Sequence, residues 1–338
     1  MIVMVNATQH STLSLTSVDD FLGDRQGRFF GEGFKRVTHT VNDITVTAEG
    51  GRPRLEAVGG VRLPDSWSRK GETDQRPHLS TIDVMVLGAQ LTGLHLAHAH
   101  DVRPNDPFRI RELTIRAGNA PQEDDLGAFP LAAEHVSTSP GAEGNITTVD
   151  CRVGALDIRV VAEHRGESAP SEVAGYYSSA ESLPGPWNTA PYGVSHHVRS
   201  QFLNEIEIDL SEPAAEGELT VLGAPDDLSG VGHETTMIDH FVAALQLGQV
   251  LLYKLDGVDR ADSNTLWMRR TSFERVADSG PGRFRVALEN SRLLPSKQGT
   301  WRSADVVTRY GDRLMRCSVA HLLPVDREGV VSGKAGSL

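Results

Sequence analysis

Two stretches of this chain, residues 81 to 100 and 237 to 254, are long enough to be helices and are apolar almost all the way round. A helix without a polar face has to be enclosed by the rest of the fold. The remaining sequence offers strands to do it. Segments such as VTHTVNDITVTAEGG, FRIRELTIRAG, FLNEIEIDL and FRVALENSRLL alternate or run β-branched, and Gly- and Pro-bearing turns separate them. The order is strands, buried helix, strands, and then the same again. A β-sandwich needs no such helices, and a doubly wound sheet needs many more of them, alternating with strands. The pattern predicts an α+β fold of the hotdog type, an antiparallel sheet wrapped around one central helix, present twice in one chain: a double hotdog.

The two helix starts support a duplication. STIDVMVLGAQLTG at residue 80 and TTMIDHFVAALQLGQ at residue 235 superpose with matches Ile82/Ile238, Asp83/Asp239, Val86/Val242, Gln90/Gln246 and Leu91/Leu247. Ser80 to Asp83 and Thr236 to Asp239 both fit the capping-box pattern. In it a hydroxyl satisfies a free helix N–H and a carboxylate three residues on reaches back. Each aspartate therefore has a structural reading. The functional reading uses the same place: free N–H groups at a helix start can polarise a carbonyl oxygen, with an acid or base beside it. His240 follows Asp239 only in the second copy, and His titrates near neutrality. Asp239, His240 and Asp83 are thus the candidate catalytic residues, and the second unit the expected active one.

The expected organisation is a first unit over residues 1–165 with an N-terminal extension, a linker or flap over 166–194, a second unit over 195–324 and a polar tail over 325–338. The linker contains ESAPSEVAGYYSSAESLPGPWNTAPYG, rich in Ser, Pro and Gly. No secretory signal or membrane span is read, and Cys151 and Cys317 form no framework, which predicts two reduced thiols in a cytoplasmic protein. Net charge is −12 over 338 residues, which argues against nucleic-acid binding. The charge is uneven. Lys254 to Arg327 holds 14 Lys and Arg against 9 Asp and Glu, a net of +5, and Glu328 and Lys334 cancel, leaving −17 on the first 253 residues. Such a basic quarter is either a solvated sheet surface or a receiver for an anionic group.

Other candidates are weaker. Gln90 and Gln246 sit seven residues after each aspartate, as buried amides or substrate contacts. His78, His233, Glu234 and His197 are placed near the expected pocket mouth, with His196 beside the last. HLAHAH puts His95, His98 and His100 at the end of the first helix, a spacing that can offer two metal ligands, and histidines also suit a helix C-terminus. His233-Glu234 does not continue as HExxH, GEGFKR lacks the phosphate-loop spacing, and neither GxGxxG nor GxSxG occurs. No metal or other cofactor is expected.

SVDDFLGDRQGRFFGEGFKRV (17–37), RPHLSTIDVMVLGAQL (76–91), MIDHFVAALQLGQVLLYKLDG (237–257) and NSRLLPSKQGTWRSADV (290–306) together resemble the AvrD family, bacterial proteins linked to syringolide-type signals. The resemblance runs from about residue 17 to 324. It implies joining a β-ketoacyl thioester, carried on CoA or an acyl carrier protein, to a five-carbon ketose, xylulose. Ring closure to a butenolide or syringolide-like product would follow, in a logic similar to AfsA-type butyrolactone synthases. Within that reading, Asp239 or His240 takes the proton of the sugar hydroxyl. Arg269, Arg270, Arg292, Lys297 and Arg302 meet a phosphate. Trp301 and Trp187 stack on a sugar or pack as core or lid. Two alternatives are a hotdog hydrolase or dehydratase, which needs the same Asp and His, and a non-catalytic scaffold for acyl chains or a carrier protein, in which Asp239 is only a cap. Exposed sheet edges leave room for a homodimer.

Overall fold

The computed structural model describes residues 12–49, 52–118, 120–186, 195–223, 235–278, 280 and 282–324. The strand before the first helix turn is β1 (Thr12–Ser17), and α1 (Asp19–Leu22) is a single turn. Strands β2 (Thr38–Glu49), β3 (Arg52–Arg62) and the small hairpin β4 (Arg69–Lys70) and β5 (Thr73–Asp74) lead to α2 (Thr81–His100). Then come β6 (Phe108–Arg116), β7 (Phe129–Pro140), β8 (Asn145–Val153), β9 (Leu156–His164) and β10 (Gly175–Ser179). The second half repeats the order: β11 (Ser200–Asp209), β12 (Ala214–Leu222), α3 (Met237–Asp256), β13 (Trp267–Arg275), β14 (Phe284–Ser296), β15 (Gly299–Tyr310) and β16 (Arg313–Leu322).

All but β4 and β5 form one antiparallel sheet, in the order β1-β11-β12-β14-β15-β16-β13-β6-β9-β8-β7-β3-β2-β10. The halves join where β13 pairs with β6, Arg270 opposite Arg116 through Phe273 opposite Leu113. α2 packs on β2, β3, β6, β7, β8 and β9, and α3 on β11, β12, β14 and β15. The fold is a double hotdog. Each half wraps its own helix, which is why the helices can be apolar all round. In α2 only Gln90 and His98 escape burial.

The duplication reaches further than the helix starts. Asn42-Asp43-Ile44 and Asn204-Glu205-Ile206 sit at matching bulges, with Asp43 at φ 51° and Glu205 at φ 49°. The outermost strands are exchanged. β1 precedes β2 in the chain but pairs with β11, while β10 precedes β11 but pairs with β2. Each unit is thus edged by the segment that leads into the other, and β10 falls inside the stretch expected as linker or flap.

Close packing of helix on sheet is set by two glycines. A Cβ on Gly88 would lie 2.6 Å from the Ile158 side chain, and one on Gly248 would lie 3.0 Å from that of Val306. Gly88→Val should therefore destabilise the fold by about 1–3 kcal/mol. Gly27→Ala, where a Cβ meets nothing within 4 Å, should stay within about 0.5 kcal/mol. Urea unfolding of the two variants checks this.

Candidate active site

Both capping boxes are present. At α2, Asp83 Oδ2 accepts from the Ser80 N–H at 2.8 Å and the Ser80 hydroxyl at 2.7 Å, and Ser80 Oγ accepts from Asp83 N–H at 3.2 Å. At α3, Asp239 Oδ2 accepts from the Thr236 N–H at 2.8 Å and its hydroxyl at 2.9 Å. The remaining partners differ. His39 on β2 stands 2.9 Å from Asp83 Oδ1, and its Nε2 is the donor because the carboxylate accepts. At the matching position of β11 stands Gln201, whose amide donates to Asp239 Oδ1 at 2.6 Å. Buried Arg199 adds Nε at 2.8 Å and Nη2 at 2.7 Å on Oδ2. Asp239 is therefore saturated with donors and sealed from solvent.

His240 is buried. Its ring meets Phe284 at 5.3 Å, Phe273 at 5.9 Å and Tyr310 at 6.2 Å, each edge to face. Burial, helped by the charge of Arg313, pulls its pKa down to about 3, so it stays neutral. The asymmetry seen in the sequence is real, but it places the histidine in an aromatic core.

The described residues place a cleft at the start of α2, between the two units. Ser80 and Thr81 form one wall, with Ala117, Gly118, Ala120, Pro121, Gln122 and Trp267 to Arg269 among its other walls, and Gln249 of α3 also lines it. The Thr81 and Ile82 N–H groups precede the first intrahelical bond, Val84 N–H to Ser80 O at 3.1 Å, and so have no intrahelical acceptor. His78 stands two residues before the cap, edge to face with Trp67 at 4.8 Å and stacked with Trp267 at 6.5 Å. Burial holds its pKa below the ordinary histidine value, which keeps it neutral and able to accept a proton.

Five cationic residues line this cleft, Arg28, Lys70, Arg76, Arg260 and Arg269, and none of the described lining residues is Asp or Glu. Arg28 donates from Nη1 to Gln246 Oε1 at 3.0 Å and pairs with Asp19, and its buried Nε has no partner among the described residues. Desolvation lowers its pKa to about 10. Lys70 Nζ donates to Ser263 O at 3.1 Å and Ser263 Oγ at 3.0 Å. Burial, then the charge of Arg260, brings Lys70 down to about 7.

Of the residues singled out from the sequence, His78 and Arg269 line the cleft. Asp83 reaches it only through Ser80, and Gln246 only through Arg28, instead of bonding the sheet backbone. Arg302 is drawn to Asp256 at the far end of α3, at 2.6 Å, and Trp301 lies on β15 opposite Leu294 and Leu322. Arg292 and Lys297 are exposed on or beside β14, and Arg270 lines a separate surface groove with Asp150 and Glu134. His197 bonds the Lys35 carbonyl, and His196 is buried beside it. Both cysteines are free and buried, which raises their thiols to about 12. His233, Glu234 and Trp187 lie outside the described residues. Sequence reasoning missed Arg28, Lys70, Arg260 and Trp67. Arg28 falls in the GRFFGEGF segment, and the others face the cleft only because β4, β5 and the turn after α3 meet there.

The fold is that of a double-hotdog protein, with a cleft at one helix start. The chain matches the family described as Pseudomonas avirulence D protein (AvrD) over residues 13–324. It belongs to the AvrD family. A comparison with curated protein sequences finds no match. Among solved structures, the tesB protein of Mycobacterium avium subsp. paratuberculosis is similar at 12% identity, covering 82% of this chain and 96% of that one, with TM-score 0.37. An acyl-ACP thioesterase from Bacteroides thetaiotaomicron is similar at 10% identity, covering 85% and 99%, with TM-score 0.33. A trans-AT PKS dehydratase domain from Brevibacillus brevis is similar at 11% identity, covering 82% and 96%, with TM-score 0.33. Similarities this distant assign no activity to the chain. No helix among the described residues is long and apolar enough to cross a membrane.

Lys70 makes the cleft's charge depend on pH. It is cationic below about 7 and neutral above, while Arg28 and Arg260 keep their charge. Binding of a phosphate-bearing anion should therefore weaken as pH rises from about 6 to 8, and Lys70→Met should flatten that dependence while weakening binding at the lower pH. Calorimetric titration of both proteins at the two pH values checks this.

Proposed function

We propose that this chain is an acyltransferase-type synthase that transfers a β-ketoacyl group from a thioester to a ketose such as xylulose, in the cleft at the start of α2. The observation that carries the reading is the cleft itself. It is rich in cations, lacks Asp and Glu among the described lining residues, has an aromatic wall, and brings His78 beside an open helix start. The chemistry implied by the AvrD resemblance agrees with it. The cations suit the phosphates of CoA or of a carrier protein's phosphopantetheine. Trp67, Phe29 and Phe30 offer apolar surface to the acyl chain.

In this reading the thioester carbonyl oxygen lies against the free N–H groups at Thr81, which stabilise the developing oxyanion. Neutral His78 takes the proton from a sugar hydroxyl. The oxygen attacks the carbonyl carbon, the new C–O bond forms, the C–S bond breaks, and His78 returns its proton to the leaving thiolate. No electrons are gained or lost, so the step calls for no redox cofactor. The carbon between the two carbonyls of the resulting ester is acidic. Its deprotonation, attack on the ketose carbonyl and loss of water close a butenolide ring. Asp83 and His39 act as positioning residues that hold the helix start. A cytoplasmic location fits the supply of such thioesters.

Mass spectrometry of the purified protein with a β-ketoacyl thioester, with and without xylulose, tests the proposal. The expected result is a sugar ester or its dehydrated ring only when the sugar is present, with the rate reduced about 10²–10⁴-fold in His78→Ala. His240→Ala should keep turnover at a temperature where it remains folded. Free β-keto acid formed regardless of sugar would point to a hydrolase. Retention of the acyl ligand without turnover would point to a binding scaffold.

A further inference from the structure

At the other end of α2 three histidines turn their rings toward one another. His95 and His100 come from the last two turns of the helix, and His135 comes from β7. Their exposures are 1%, 0% and 8%, and the three potential ligand atoms lie within 4.8 Å of one another. His95 Nε2, His100 Nε2 and His135 Nδ1 are each buried with no hydrogen-bond partner. A single unpartnered buried imidazole nitrogen is unusual, and three converging on one point call for an explanation.

We propose that His95, His100 and His135 bind a divalent transition metal of the zinc class. The tautomers and geometry support it. His100 Nδ1 lies 2.7 Å from the Glu167 carbonyl, which can only accept, so Nδ1 carries the proton and Nε2 presents its lone pair to the cluster. An outer hydrogen bond of this kind is what fixes a metal-ligating histidine. Zinc–nitrogen distances of 2.0–2.1 Å at tetrahedral angles place ring centroids about 5 Å apart. The observed separations are 6.2 Å for His95–His100, 5.7 Å for His95–His135 and 5.5 Å for His100–His135. Small ring movements close the difference.

The chemistry of the donor set narrows the ion. Neutral imidazoles suit zinc, copper or nickel, whereas magnesium and calcium prefer oxygen ligands. The negative end of the α2 dipole also favours a cation here. Two neighbours stay outside the set. His98 is held by the Tyr177 hydroxyl at 2.8 Å and the Val173 carbonyl at 2.7 Å. His164 is engaged by the Thr147 hydroxyl at 2.8 Å and the Gly166 N–H at 3.1 Å. The helical spacing alone supplied two of the ligands, and the third comes from a strand about 35 residues further on. His95 lies about 21 Å along the helix from Thr81. The metal would therefore tie the end of α2 to β7 and stand apart from the cleft chemistry.

The test uses the full chain, freed of metal with a chelator and titrated with Zn²⁺ by calorimetry and with Co²⁺ by visible absorption. One equivalent per chain, a tetrahedral Co²⁺ spectrum and a higher melting temperature with Zn²⁺ are expected. His135→Gln and His100→Gln should each weaken binding by more than the roughly 10–100-fold cost of losing an outer-shell partner. His98→Gln should leave affinity unchanged, and circular dichroism shows whether each variant is folded. No stoichiometric binding by folded wild-type protein would overturn the proposal, as would binding that His98→Gln weakens as much as His135→Gln does.

Discussion

A helix start buried inside a sheet must satisfy its polar groups without help from water, and this fold faces that requirement twice. The capping boxes of Ser80 with Asp83 and Thr236 with Asp239 meet it in the same way. What completes each carboxylate decides what the helix start can do. At α3 the fixed charge of Arg199 and the amide of Gln201 close the site, and removing either charge of such a buried pair costs about 3–5 kcal/mol. At α2 a histidine takes that position, no arginine follows, and the ground in front of Ser80 is left as a cleft.

That difference sets the two helix starts apart in structure. The second unit supplies a rigid half-core, and through Phe30 against Phe241 at 5.8 Å it braces the aromatic wall of the first unit's cleft. It also lends Trp267, Met268, Arg269 and Arg260 to that cleft. The cleft therefore belongs to the pair of units, and a single hotdog unit would leave it open on one side. The exchanged edge strands β1 and β10 add a second tie between the halves.

Much of the architecture was legible in the residues. Apolar helices flanked by alternating segments admit few folds, and the capping boxes formed as their spacing predicts. The repeat at Asn42 and Asn204 emerged only from the structure, because just two residues match there. The site was less legible. His240 drew attention because it broke the repeat, but a residue facing outward from a helix start in one register faces the sheet in another. His78, expected near the pocket mouth, does line the cleft, but its place just before the cap gave it no mark of a central role. Lys70, Arg260 and His135 owe their roles to contacts with residues far along the chain, which no local pattern records.

The function proposed for this chain turns on the cleft at the start of α2 being the working site. A crystal structure with a non-hydrolysable β-ketoacyl thioester analogue tests it most directly. The expected complex has the carbonyl oxygen at the Thr81 end of α2, His78 beside it, and the carrier phosphates among Lys70, Arg28 and Arg260. Ligand seated at the start of α3, against Asp239 and His240, would contradict it.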